Sequence, residues 1–183
     1  MASIRNKHLV CGDITLVFLE RRDGEPVIAV VDTEDVPKIA GYKWHLKQLD
    51  EKRQYVEAHD IASDKLNKKV MLHRLLTDCP KGKVVDHRDG VTLNNRRNNL
   101  RVCTHAENLQ NRSPISRAGA SGLRGVTWSK HAGKWVARYR VKYKEFFLGY
   151  FDSKVKAAEA VIAARAEHMP FSQEAARREV ANG

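Results

Sequence analysis

Two runs near the start of the chain, ITLVFL (14–19) and VIAVV (27–31), are dense in β-branched residues and are separated by RRDGEP, a stretch of turn chemistry. That pattern predicts two short strands joined as a hairpin. DTEDVPKIAGY predicts a short helix capped by Asp32 or Thr33 and ending at Gly41. YKWHLKQLDEKRQYVEAHD reads as two further strands around a charged turn, and KKVMLHRLLTDCP as a strand-to-helix or helical segment stopping before Pro80. Residues 84–110 read as a strand (Val84–His87), a long polar loop, a strand (Leu100–Cys103) and a helix. Thr104 and Glu107 are spaced as a capping box for that helix.

The pattern changes after residue 110. NRSPISRAGASG (111–122) is aperiodic, basic and rich in Pro, Ser and Gly, which marks it as a linker. GVTWSKHAGKWVARYRVKYKEFFLGYF then alternates strongly, with turn material at HAG and around KYKE, and predicts three antiparallel strands. Within KWVARYRVK, Trp135, Ala137, Tyr139 and Val141 share one face, while Lys134, Val136, Arg138, Arg140 and Lys142 share the other. SKVKAAEAVIAARAEHM predicts a helix with Ser153 as N-cap and Pro170 just past its end. Its Ala157, Ala158, Val161, Ile162 and Ala164 form a small-residue face suited to a sheet. FSQEAARREVANG reads as a short helix or a frayed tail, and no internal repeat is present. The fold class expected is α+β: a β-rich N-terminal scaffold with a strand-loop-strand-helix unit, then a three-stranded antiparallel sheet packed on one helix.

Charge sharpens this division. The formal net charge is +11, unevenly spread. Residues 1–60 hold nine Lys/Arg against eleven Asp/Glu, a net of −2, whereas residues 111–149 hold nine Lys/Arg against Glu145 alone, a net of +8. A local excess of that kind attracts a polyanion, above all nucleic acid. Cys11, Cys79 and Cys103 are odd in number and form no C-x-x-C spacing, which argues against a disulfide framework and against a structural zinc site. No signal-peptide pattern opens the chain and no apolar run is long enough to cross a bilayer. The expected location is the cytoplasm, without membrane contact.

The chemistry concentrates in VVDHRDGVTLNNRRNNLRVCTHAENLQN (84–111). Hydrolysis of a phosphodiester needs a deprotonated water, a cation on the phosphate oxygens and support for the leaving oxygen. Asp86 is a hard-cation ligand, His87 beside it is a general base, and Asn108, about one turn into the following helix, offers a second oxygen ligand. Neighbouring side chains on a strand alternate, so Asp86 and His87 must sit at a strand end or break to serve one phosphate. Asp89-Gly90 supplies a turn signal at that place. Arg96, Arg97 and Arg101 are expected to grip backbone phosphates. Asn94, Asn95 and Asn98 are read as turn residues, and His59, His105 and His168 as exposed histidines.

LHRLL, VVDHRDG, LNNRRNNLRVCT and ENLQN together resemble the HNH endonucleases, in particular the phage and intron-encoded homing branch. The resemblance covers about residues 70 to 112 and implies a ββα-metal hairpin. It implies His87 as the base that activates water, Asp86 and Asn108 as ligands of one divalent ion, and Asn99 as a structural amide that ties down the interstrand loop. It also implies a lesser role for His73 in positioning or polarising the phosphate. Asn108 stands where the family name implies a third histidine, and oxygen donors favour Mg²⁺ or Mn²⁺ over Zn²⁺.

SGLRGVTW, GKWVARYRV, FFLGYF and AAEAVIAARAEHM, about residues 121–172, resemble the ethylene-response-factor or APETALA type of DNA-binding domain. That resemblance implies DNA contacts from Arg124, Arg138 and Arg140, with Thr127 and Lys130 beside them; Lys142 is expected on DNA as part of the cationic rib that alternation sets. Phe147 stands where the family has a Trp, and Trp135 is read as core. The expectation is a nuclease domain over 1–110, a linker over 111–122, a DNA-binding domain over 123–172 and a tail over 173–183. The activity expected is nicking of double-stranded DNA by a monomer or weak dimer, in a bacterial host cell if phage-encoded. A DNA-binding regulator with an inert hairpin is the competing class.

Overall fold

The computed structural model describes residues 4–21, 24–49, 53–61, 68–111 and 121–175. The fold is α+β, built from several small antiparallel sheets and few helices. It divides into two compact units, Met1–Thr104 and His105–Gly183.

The first unit opens with a three-stranded sheet in the order β1 (His8–Cys11), β2 (Ile14–Leu19), β3 (Val27–Asp32). In β2 the buried positions are Thr15, Val17 and Leu19, and across the register β3 buries Ala29 and Val31, so alternation sets which face meets the core. Strand β1 is absent from the hydrophobic pattern because it buries little: Leu9 and Val10 are both about half exposed. It pairs with β2 because Gly12, at φ +63°, lets a two-residue turn close the hairpin.

After a 3₁₀ turn (Thr33–Asp35), α1 (Val36–Ile39) is shorter than its segment suggested. Asp32 precedes the turn but makes no side-chain cap bond, because its carboxylate is held by arginines from elsewhere. A second sheet orders β4 (His45–Gln48), β5 (Gln54–His59) and β6 (Lys69–Met71), and β6 runs directly into α2 (Leu72–Leu76). Strands β7 (Val84–His87) and β8 (Leu100–Cys103) pair as a two-stranded ribbon.

One core joins these pieces: Val17, Leu19, Ala29, Val31, Ile39, Trp44, Val56, Leu72, Leu76 and Leu100 pack together. Each large apolar side chain buried this way contributes roughly 1.5–3 kcal/mol. Asn6, itself buried, stitches the N-terminal segment to two strands' ends. Its amide donates to the Phe18 and Trp44 carbonyls at 3.1 and 2.9 Å and accepts from the Trp44 N–H at 2.8 Å.

The second unit begins with α3 (His105–Asn108), a helix of four residues. Its sheet has the order β11 (Lys144–Phe151), β10 (Lys134–Val141), β9 (Val126–Ser129), and α4 (Lys154–His168) covers one face. Ser153 caps α4, its hydroxyl accepting from the Val155 and Lys156 N–H groups. Ala157, Val161 and Ala164 are buried at helical spacing, and Val126 and Ala137 meet this face from the sheet. Trp135, Leu148 and Phe151 pack around them.

Two expected positions differ. Ile162, placed on the packing face of α4, is 43% exposed, since it lies one position off the Ala157–Val161–Ala164 stripe. Val136, placed on the solvent face with the arginines, is buried between its cross-strand partners Thr127 and Tyr150. A bulge in β11 lets Leu148 slip out of register between the Ala137–Gly149 and Arg138–Phe147 pairs.

Ser121, assigned to the linker, is buried, and its hydroxyl donates to the Val126 carbonyl at 2.5 Å. Residues 112–120 of that linker lie outside the described residues. At the other end Ser172, Glu174 and Ala175 are buried, and Glu174 forms a buried two-point ion pair with Arg165 of α4 at 3.1 and 3.2 Å. Residues 176–183 lie outside the description.

Gly125 is required by close approach. It has φ +80°, and a Cβ there would lie 2.3 Å from the Arg138 carbonyl oxygen. Gly125→Ala is expected to destabilise the chain by about 2–4 kcal/mol, combining left-handed backbone cost with displacement of β10. Gly133→Ala, with φ +59° and open space, is expected to cost only about 1 kcal/mol. Thermal unfolding of the two variants checks the difference.

Candidate active site and basic sheet face

Strand β7 ends in Asp86 and His87, in unbroken register with Arg101 and Leu100 of β8. Alternation sends the two side chains to opposite sides of the ribbon. On one side, buried Asp86 accepts from Arg101 through a single carboxylate oxygen, Oδ2, at 2.8 Å from Nε and 2.6 Å from Nη2. Both partners are largely out of water, which makes this a charge-assisted contact of the stronger kind.

On the other side, buried His87 meets two rings. His73 from α2 lies edge-on at 5.4 Å between centroids, and Tyr55 from β5 lies at 6.4 Å. Tyr55 also faces His73 at 5.6 Å. Burial pushes the His73 imidazole down to about 3, with His87 and Arg74 adding to the shift. The His87 pKa is lowered too: burial outweighs the opposing hydrogen bond from Asn95 and the charges of Asp89 and Asp86. Both rings are therefore neutral at ordinary pH. Among the described residues, His73 Nδ1 is buried with no hydrogen-bond partner.

The loop between the strands is laced by carboxamides. Asn99 accepts from the Asp89 N–H at 3.0 Å and donates to Asp89 Oδ1 at 2.9 Å and to the Asn94 carbonyl at 2.8 Å. Asp89 also accepts from the Val91 N–H and from the Asn94 amide, both at 2.8 Å. All of the Asn99 amide's hydrogen-bonding groups are thus spent on the loop. Asn95 is 1% exposed, and its Oδ1 lies 3.4 Å from His87 Nε2.

Arg96 and Arg97, expected on phosphates, are held by carboxylates of the N-terminal scaffold. Arg96 reaches Asp32 at 2.7 Å and Asp13 at 2.6 Å. Arg97 grips both oxygens of fully buried Asp35 and touches Glu34 at 3.3 Å, while its backbone N–H donates to Asp32 at 2.7 Å. Arg101 is likewise committed to Asp86. The physical reason is local charge: a scaffold with excess carboxylate neutralises the loop's cations before any phosphate arrives. Asn108 ends the short helix α3 and is half-buried within the second unit.

In the second unit, Arg138, Arg140, Lys130, Lys142 and Thr127 are exposed and Arg124 is half-buried. Arg138 and Arg140 share one carboxylate, Glu145, at 3.2 and 3.4 Å. Arg124, Thr127, Arg138, Arg140 and Glu145 line a cleft of about 270 Å³. Exposed aromatic rings flank the arginines: Phe147 and Tyr150 meet edge-on at 5.2 Å, and Trp128 is 49% exposed against the half-buried Trp135. His59, His105 and His168 are exposed, the last stacked on Tyr139 at 5.7 Å.

In the first unit strand, Asn-laced loop and strand form a hairpin, and the short helix follows it in sequence as the start of the second unit. Residues 77–110 match the sequence model of the family described as HNH endonuclease. The chain is 30% identical over 130 residues to an uncharacterized HNH endonuclease, L560, of Acanthamoeba polyphaga mimivirus, covering 68% of this chain and 63% of that protein. It is 42% identical over 56 residues to Protein 3.8 of Escherichia phage T7, covering 31% of this chain and 46% of that protein. The chain thus spans between about half and just under two thirds of these relatives' lengths. No solved structure matches. No helix among the described residues is long and apolar enough to cross a membrane.

Tyr55 and Asn95 were not singled out for function by the sequence. Tyr55 comes from a strand about thirty residues upstream, and no local signal marks it. Asn95 carried a signal only as one of several asparagines in the loop. The two buried histidines make stability fall in acid. Below the ordinary imidazole pKa of 6.5 the unfolded chain binds a proton that folded His73 refuses until about pH 3. Stability is therefore complete above pH 6.5 and is expected to drop by up to about 1.4 kcal/mol per pH unit below it for this residue. Urea unfolding of wild type and His73→Gln from pH 7 to 5 checks this, the variant showing the shallower slope.

Proposed function

We propose that this chain is a metal-dependent DNA endonuclease of the homing type that nicks duplex DNA, guided by its C-terminal sheet. The observation that carries the reading is the sorting at the end of β7. A neutral buried imidazole and a charged carboxylate occupy consecutive positions inside the stretch that matches the HNH family. A phosphate seated off the end of the ribbon, rather than over either face, is the position that both side chains can serve.

His87 takes the proton of the attacking water. His73, neutral throughout the working range, offers its orphaned Nδ1 to a water or phosphate oxygen at the same end. Asn99 keeps the loop from collapsing into this space. The donor set suits a hard cation: Asp86 brings a carboxylate and, by sequence spacing, Asn108 a carboxamide. The described residues contain no group of three or more His, Cys, Asp or Glu side chains fit to hold a metal. An ion taking most of its ligands from water and phosphate, as Mg²⁺ does and Mn²⁺ can, agrees better with that than Zn²⁺. When bound, such an ion would polarise the phosphate and offset charge on the leaving oxygen. Arg101 holds the Asp86 carboxylate in place through Oδ2.

The basic sheet supplies affinity for double-stranded DNA. Arg138 and Arg140, with Arg124, Thr127, Lys130 and Lys142 around them, present cations and hydrogen-bond donors on a rib of groove-compatible shape. Arg96, Arg97 and Arg101 act as internal clamps in this reading and not as phosphate contacts.

A supercoiled plasmid incubated with Mg²⁺ is expected to relax, and chelator is expected to abolish the reaction. His87→Ala is expected to lose about 10²–10⁴-fold in rate. Relaxation by His87→Ala at the native rate would remove the base assignment, while no cutting by any form would favour a DNA-binding regulator with an inert hairpin. Because His87 is pushed down, the acid limb of the wild-type rate profile is expected below pH 6.5. For the sheet, replacing both Arg138 and Arg140 by Ala is expected to weaken duplex binding and reduce the salt slope by about two. An unchanged slope in filter binding across salt would count against this face.

A further inference from the structure

We infer that Asn95 is the positioning residue for His87: its carboxamide oxygen holds the ring as the Nε2–H tautomer, so that water is deprotonated through Nδ1. The inference rests on the nuclease reading and deepens it.

Asn95 Nδ2 lies 3.1 Å from the Leu93 carbonyl and 3.5 Å from the Thr92 carbonyl. Both neighbours are acceptors, so the NH₂ group must face them, and a flipped amide would set three oxygens against one another. The oxygen of Asn95 is thereby turned toward His87 Nε2 at 3.4 Å. A carboxamide oxygen only accepts, so Nε2 must carry the hydrogen. A neutral imidazole has one N–H, and its basic lone pair then belongs to Nδ1.

The amide is in turn held by backbone. The Asn95 N–H donates to the Val30 carbonyl at 2.7 Å, and the Val30 N–H donates to the Leu93 carbonyl at 2.9 Å. This parallel bridge hangs the loop on the edge of β3. Arg96 and Arg97 fasten the next two residues to Asp13, Asp32 and Asp35. The N-terminal sheet thus becomes a platform that reaches the base through one side chain, which gives the β1–β3 segment a part in the centre without a catalytic group of its own. In water His87 would sample both tautomers and several ring rotations. Here the ring is held by Asn95 on one nitrogen and by the neighbouring rings of His73 and Tyr55.

Two variants of the full chain separate positioning from loop anchoring. Asn95→Leu and Asn95→Asp both lose the donors to Leu93 and Thr92, but only Asp keeps an acceptor for His87. In Mg²⁺-dependent plasmid cleavage, Asn95→Leu is expected to lose about 100-fold in kcat, with KM for DNA moved less than about threefold. Asn95→Asp is expected to stay within about tenfold of wild type. Equal losses in the two variants, or a loss expressed in KM, would overturn the inference. A second measurement does not depend on turnover or on either variant folding. In wild-type protein with ¹⁵N-labelled histidine at about pH 7.5, long-range proton–nitrogen correlations should show His87 protonated at Nε2 and bare at Nδ1. A ring protonated at Nδ1 would sink the inference whether or not the chain cuts DNA. A wild type that cuts nothing while showing the Nε2–H ring would fault the nuclease reading alone.

Discussion

The guanidinium of Arg97 on the buried carboxylate of Asp35 is the interaction on which the first unit's centre depends. Asp35 is shut off from water and would be left charged and unpaired if Arg97 were removed. Arg96 on Asp32 and Asp13 repeats the arrangement one residue earlier. These contacts fix the loop between β7 and β8 to a sheet more than sixty residues away in sequence. Everything polar in the centre then follows in short steps: the loop carries Asn94, Asn95 and Asn99, and these fix Asp89 and His87. The acidic excess of the N-terminal segment is in this light structural.

Strand alternation adds a second constraint. Because Asp86 and His87 are consecutive, one ribbon separates a charged environment from a dry, neutral one. Asp86 sits against the Arg101 guanidinium; His87 sits among rings, where a protonated imidazole is disfavoured. A carboxylate beside the imidazole on the same face would have raised the His87 pKa. The charge of Asp86 does act on His87 in that direction, but burial outweighs it. The same separation lets Arg101 pair with the carboxylate without pressing a positive charge against the imidazole.

Much of this was legible in the sequence, for reasons that differ residue by residue. Val84–His87 and Leu100–Cys103 stood out as short strands flanking a long polar loop, and the Asp-Gly turn signal marked a break just after the first one. Strand β1 was not legible, because a mostly exposed four-residue edge strand carries no alternation. Asn95 and Asn99 were separated by the resemblance alone, since the same side chain does different work depending on which backbone groups surround it. The arginines misled for a related reason. A guanidinium serves a phosphate and an aspartate equally well, and only tertiary contact shows that the scaffold had already supplied the aspartates. Tyr55 needed the fold, because a ring contact between β5 and α2 leaves no mark on either segment.

The two units treat arginine in opposite ways, and the contrast bears on where DNA affinity would reside. In the first unit Arg96, Arg97 and Arg101 answer to five carboxylates, those of Asp13, Asp32, Glu34, Asp35 and Asp86, so a phosphate would have to displace a partner already in place. In the second, Arg138 and Arg140 divide a single half-exposed Glu145 between them, at longer distances and in water. Exposed pairs of that kind contribute about 0–1 kcal/mol and are screened by salt. Displacing Glu145 therefore costs little, and two guanidiniums gain a full partner when a polyanion arrives. The sheet's arginines are thus the more readily drawn from their carboxylate by a polyanion, while those near the hairpin hold its loop still.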